Sequence, residues 1–138
     1  SGEDISFPGA AELIEAANNH PEWRLAIATS SPGDKASATL AAAAIDLAPF
    51  DAVITGDMVT HTKPDPEIYR TASNIIGLTP DRCVVIEDAT AGVQAAKAAG
   101  MQCIAVTNTF SREQLADADQ IVDSLTQVDL AMLLALVA

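Results

Sequence analysis

The sequence predicts an α/β fold, a doubly wound, three-layer parallel sheet of about five strands with helices on both faces. Three observations predict it. Short apolar runs without polar alternation, such as Cys83-Val84-Val85-Ile86, read as strands buried on both faces. These runs alternate with alanine-rich helical stretches, the order that gives parallel strands and right-handed crossovers. Hydrophobic residues make up 49% of the chain but aromatic ones only 4%, which suits an aliphatic α/β core better than an aromatic-rich sandwich.

The elements follow in order. Residues 10–19 carry Leu13, Ile14, Ala16 and Ala17 on one helical face, with Pro8 near the first turn. Residues 25–28 form a short buried strand that stops at Thr29-Ser30-Ser31-Pro32-Gly33. Asp34 is placed to cap a helix over 35–45. Residues 50–54 form the next strand, and a polar loop then runs to Lys63-Pro64-Asp65-Pro66. A helix over 67–76 ends at Gly77, a good C-cap. Strand 83–86, helix 92–99 stopped by Gly100, and strand 102–106 follow. A short helix is predicted over 114–118, a weak edge strand at Ile121-Val122, and a final amphipathic helix over 128–137.

The 138 residues fit one domain with its own core. The formal net charge of −12 opposes binding to nucleic acid and to anionic lipid. It leaves room for a small phosphorylated molecule, provided a local lysine and a metal ion offset the acids. Cys83 and Cys103 belong to no CxxC pair or Cys/His cluster, so they read as buried thiols of a reduced, cytoplasmic protein rather than a zinc site. No stretch is long and apolar enough to read as a membrane span.

A parallel sheet brings the carboxyl ends of its strands to one edge, where open α/β sheets place their ligands. Three of those ends carry polar groups: Thr29, Ser30 and Ser31; the loop with Lys63; and Glu87-Asp88. A hydroxyl with the backbone N–H groups of a following helix can hold phosphate oxygens. A lysine offsets charge on a transferring group, and paired hard oxygen ligands suit a divalent cation such as Mg2+. Each piece alone has a plainer reading. Thr29 can cap, Asp88 can serve as an N-cap, Glu87 can be a solvated loop acid, and Lys63 a surface lysine. Pro64 and Pro66 stiffen the loop that carries Lys63, which a free surface lysine does not need. His20 and His61 sit in loops without a partner that suggests base chemistry, and Asp57 reads as a turn residue in the region of the site.

In T-S-S-P after a strand, K-P-D-P-E-I-Y before a helix and V-V-I-E-D-A-T-A-G-V-Q-A-A-K-A-A-G-M, the chain resembles the haloacid dehalogenase superfamily. The similarity is to its β-phosphoglucomutase-like and phosphoglycolate-phosphatase-like branch, and it runs from about Pro8 to Val122. The resemblance implies a Rossmann-like core and a Mg2+-dependent phosphatase or phosphomutase acting on a small phosphorylated metabolite. It makes Thr29 the phosphate-binding hydroxyl with the Ser30 backbone beside it. It makes Lys63 the lysine bridging nucleophile and phosphate, Asp88 the direct Mg2+ ligand, and Glu87 a ligand or its partner.

The family's first motif, a strand ending in Asp-x-Asp-Gly that carries the nucleophile, has no counterpart in the 138 residues, and neither has the cap that sets specificity. The resemblance therefore implies the C-terminal portion of a larger hydrolase, with residues 1–7 a residual cap–core linker and 8–138 a partial core domain, inactive alone. In the family the absent strand lies between those ending at Thr29 and Glu87. The slot could hold a separately supplied segment, two copies could pair through the open strands as a homodimer, or the two strands could close on each other. Two alternatives stand beside the enzyme reading. One is a non-catalytic domain of the same fold serving association with a partner or a second copy. The other, a phosphorylation receiver, needs acids after its first strand and a lysine after its last, an order this chain does not have.

Overall fold

The computed structural model describes residues 9–42 and 47–137. Among them lie five strands, all paired in parallel, with helices α1 (Ala10–Asn18), α2 (Gly33–Ala42), α3 (Glu67–Ile76), α4 (Thr90–Ala98) and α5 (Leu130–Val137). The strands are β1 (Ala26–Ala28), β2 (Ala52–Ile54), β3 (Val84–Glu87), β4 (Gln102–Val106) and β5 (Gln120–Val122). The predicted linker 1–7, Pro8 and the predicted end of the second helix at Ile45 lie outside the described residues.

The strands form two sheets, β1-β2 and β3-β4-β5. Within the described residues β1 and β3 do not pair, so the two have not closed on each other. In β3-β4 the register sets Val84 opposite Gln102 and Glu87 opposite Ala105, which carries the carboxyl end of β3 to the polar rim.

Helices cover both faces. On one side α3 packs on β1 and β2, α4 packs on β3 and β4, and the two helices touch. Ile54, Ile68, Tyr69, Ala72, Val85, Val93, Cys103 and Leu115 close the core there. On the other side α5 and α1 pack together, and Ile104, Val106, Val122, Leu125 and Leu133 form a second core with Leu13 and Trp23 against it. The small Ala95, Ala96 and Ala99 of the α4 region are nearly solvent-free, which lets the helix lie close to the sheet.

Most elements fall where the pattern put them, and three differ. Residues 114–118 form turns rather than a helix, because Leu115 is drawn fully into the core and the backbone bonds run singly, Leu115 N–H to Ser111 and Ala118 N–H to Leu115. The last helix begins at Leu130 after a 3-10 turn at Leu125–Gln127 capped by Ser124, and its outer face is apolar, with Leu134 59% exposed. Helix α2 starts at Gly33, so Asp34 lies in its first turn instead of capping it. No helix among the described residues is long and apolar enough to cross a membrane.

The start of β5 is tied to β4 by Asp119. Its carboxylate accepts the Lys97 amine at 2.7 Å and the Cys103 N–H at 2.8 Å, and its own N–H donates to Cys103. Partial burial raises the Asp119 carboxyl, but the Lys97 and Cys103 bonds outweigh it and hold the group below its ordinary value. A depressed folded value gives stability that is present above the unfolded value and lost as pH falls through the folded one. Asp119→Asn is expected to cost about 1–2 kcal/mol at pH 7, the lower part of the range for charged hydrogen bonds because water screens the pair. Urea denaturation checks it: the deficit should shrink toward pH 3, and parent stability at pH 7 would contradict it.

Candidate active site

Lys63 ties the two sheets together. Its amine donates to the carbonyl of Ala28, the last residue of β1, at 3.1 Å, and to Glu87 Oε2, the last residue of β3, at 3.0 Å. Both side chains are nearly buried, Lys63 at 13% and Glu87 at 10% exposure, so this is not a solvated surface pair. The amine also lies 5.1 Å from the centre of the Tyr69 ring, within cation–π range.

The loop that presents Lys63 is held at both ends. The Glu67 carboxylate accepts the N–H groups of Thr60 at 2.8 Å and His61 at 3.0 Å, and faces His61 Nδ1 at 3.3 Å. Asp65 accepts the Glu67 N–H at 2.9 Å, supplying the side-chain cap that Pro66 cannot. These Thr60 and His61 N–H bonds keep the Glu67 carboxyl below its ordinary value. His61, expected to have no partner that suggests base chemistry, pairs with Glu67, the first residue of α3.

Glu87 is fully engaged. Its Oε2 accepts Lys63 and the Tyr69 hydroxyl, the latter at 2.7 Å, and its Oε1 accepts the N–H groups of Asp88 at 3.1 Å and Ala89 at 3.3 Å. Burial pushes the carboxyl up, but the Lys63 charge and these bonds outweigh it, and the group stays ionised below its ordinary value. Asp88 is the reverse: burial and the neighbouring Glu87 charge push it up. The Thr109 hydroxyl donates to it in a long contact of 3.4 Å from the loop after β4. A carboxylate whose charge is disfavoured by a second carboxylate is relieved by a cation, which fits Asp88 as a metal ligand. Among the described residues no group of three or more His, Cys, Asp or Glu is placed to hold a metal, so this acid pair is at most part of a ligand set.

Thr29 stands half-buried at the end of β1, its N–H donating to Ile54 and its Oγ1 accepting the Ser31 N–H at 3.2 Å. Its hydroxyl proton is therefore left to donate elsewhere. Ser30 is exposed, and its carbonyl faces Gly56. The first N–H of α2, on Gly33, is not open to a phosphate oxygen, because Asp57 Oδ1 accepts it at 3.1 Å. Of the helix-start N–H groups expected to bind phosphate, that of Gly33 is therefore engaged within the protein.

The geometry brings Lys63 and Glu87 into contact at the end of β1, with Asp88 next in chain and Thr29 next to Ala28. Pattern reading gave no role to Tyr69, although it lies in the buried stripe of α3 with Ile68 and Ala72. Tyr69 is raised by burial and by Glu87, so its hydroxyl stays protonated and donates. Cys103 is pushed up to about 12, first by burial and then by the Glu87 charge, which keeps it an inert core thiol.

The family described as haloacid dehalogenase-like hydrolase matches residues 1–100. The chain is 46% identical over 114 residues to Protein SUPPRESSOR OF QUENCHING 1, chloroplastic, of Arabidopsis thaliana, covering 83% of this chain and 11% of that one. It is 39% identical over 125 residues to validoxylamine A 7'-phosphate phosphatase of Streptomyces hygroscopicus subsp. limoneus, covering 90% of this chain and 57% of the relative. The crystal structure of CbbY from Rhodobacter sphaeroides in complex with phosphate superposes with a TM-score of 0.81 at 36% identity, over 92% of this chain and 58% of that one. The chain thus spans little more than half the length of these two shorter proteins.

Proposed function

Because the chain belongs to the haloacid dehalogenase-like hydrolases, we propose that it forms the phosphate- and metal-holding part of a Mg2+-dependent phosphatase or phosphomutase for a small phosphorylated metabolite. The observation that carries this is the Lys63 amine held between the ends of β1 and β3. A cation fixed at that rim serves a phosphoryl group. One similar protein is named a phosphatase and another is described in complex with phosphate, which supports the same chemistry.

In this reading the Thr29 hydroxyl and the Ser30 N–H bind phosphate oxygens. Lys63 balances their charge; among the described residues its amine donates to Ala28 and Glu87, two of its three donors. Glu87 and the Ala28 carbonyl hold the amine in place, and the Tyr69 hydroxyl donates to Glu87. Asp88 holds Mg2+, with Thr109 orienting its carboxylate; when bound, the ion shields the phosphoryl charge from an incoming nucleophile. The nucleophile itself is not among these residues. We infer that it lies on a strand bearing Asp-x-Asp-Gly, supplied between β1 and β3, which are edge strands of their sheets among the described residues.

Hydrolysis of an aryl phosphate tests this. The 138 residues with Mg2+ are expected to give none, and adding a segment with the Asp-x-Asp-Gly strand is expected to restore it. Turnover by the chain alone would overturn the assignment of the nucleophile. The same open edges, with Ile86 36% exposed on β3, favour a second reading, a non-catalytic domain that associates through them. Sedimentation of a monomer at high concentration would count against that reading.

A further inference from the structure

We propose that Asp57 is a positioning residue for the loop at residues 29–33, holding it in the shape that turns Thr29 and Ser30 toward the site. The identity of the ligand rests on the phosphoryl-transfer reading above; the clasp itself rests on geometry.

Three contacts build it. Asp57 Oδ1 accepts the N–H of Gly33, the first residue of α2, at 3.1 Å. The same oxygen accepts the hydroxyl of Thr55 at 2.5 Å, and Thr55 is nearly buried, so the carboxylate is aimed from a fixed base. Gly56 donates its N–H to the Ser31 carbonyl at 2.8 Å. The approach is so close that a Cβ on Gly56 would lie 2.0 Å from the Ser30 carbonyl oxygen, and only glycine fits. Thr55-Gly56-Asp57 thus grips Ser30, Ser31 and Gly33 from the loop after β2.

The chemistry is that of a helix cap supplied from another element. The first N–H groups of a helix have no internal partner, and a carboxylate there also meets the positive end of the helix dipole. With Gly33 satisfied by Asp57, the loop before it is anchored at both ends: by Asp57 at Gly33, and by the Thr29 N–H on β2. The bond from Thr55 and those from the backbone hold the Asp57 carboxyl below its ordinary value, consistent with a carboxylate in use.

Amide hydrogen exchange on the full 138-residue chain tests the clasp, with Asp57→Ala and Asp57→Asn beside the parent. Asp57→Ala is expected to speed exchange at Gly33 about tenfold or more, the opening that loss of one charge-assisted bond allows, while β4 amides keep parent rates. Asp57→Asn keeps an acceptor oxygen and is expected to recover most of the protection. Inorganic phosphate with Mg2+ supplies the second readout. The Thr29 and Ser30 amides should respond about tenfold more weakly in Asp57→Ala, with Asn rescuing, and the Asp88 response to Mg2+ unchanged. Parent exchange rates in Asp57→Ala, or identical behaviour of Ala and Asn, would overturn the proposal. If phosphate moves neither amide in the parent, the phosphoryl-transfer reading fails and exchange alone judges the clasp.

Discussion

Lys63→Met is expected to cost the chain about 3 kcal/mol at pH 7. The substitution keeps most of the side-chain volume but strips the cation from a carboxylate that is 10% exposed. Breaking a buried ion pair from one side leaves an uncompensated charge, at about 3–5 kcal/mol. Glu87 keeps the Tyr69 hydroxyl and two backbone N–H groups, which brings the figure to the lower end. The pH dependence has a definite sign. In the parent Glu87 is held below its ordinary value, so its contribution is full at neutral pH and lost as pH falls. In Lys63→Met the same carboxyl, without its cation, protonates at higher pH, and a neutral acid needs no cation. The gap between variant and parent should therefore narrow from pH 7 to pH 4. Urea denaturation at both pH values measures it, and a gap independent of pH would show that the pair is not what Lys63 contributes.

Gly92→Ala should destabilise the chain by about 1–2 kcal/mol, against the usual direction for a helix. Inside a helix, alanine is favoured over glycine by roughly 1 kcal/mol. Here a Cβ at residue 92 would lie 1.9 Å from Glu87 Oε2 and 2.3 Å from its Cγ. A flexible acid would swing away at little cost. Glu87 cannot, because each oxygen holds two donors, and displacing it forfeits charge-assisted bonds at about 1.5–3 kcal/mol each. The loss of even one exceeds the helix gain. A more stable Gly92→Ala protein in denaturant titration would mean that Glu87 moves freely and that its bonds hold nothing in place.

The fold was legible where local pattern and tertiary placement agree. Residues 103–106 are an unbroken apolar run, and Gly77 ends α3 in the left-handed region at φ 76°, as a C-cap glycine should. It was less legible where a single residue is recruited by the core, as Leu115 is, or where a cap comes from elsewhere, as Asp57 does for α2. The site divides the same way. That Thr29, Lys63 and the Glu87-Asp88 pair lie near strand ends follows from parallel topology. That Lys63 touches Glu87, 24 residues away, or that Tyr69 shares the same oxygen, depends on how α3 packs on β1 and β2. No spacing rule encodes that distance. Gly92 reads in sequence as one more small helix residue, and only the position of Glu87 shows why a methyl group there is excluded.

The Lys63 amine joins the ends of β1 and β3 at one rim, where Mg2+ is proposed to bind. Mn2+ in place of Mg2+ measures it directly, because a bound paramagnetic ion broadens nearby amide resonances. The expected result is joint broadening at Thr29, Ser30, Lys63, Asp88 and Ala89, abolished by Asp88→Asn, with α1 and α5 unaffected. Broadening spread over the acidic surface, or confined to Asp88 while Thr29 and Lys63 stay sharp, would contradict it.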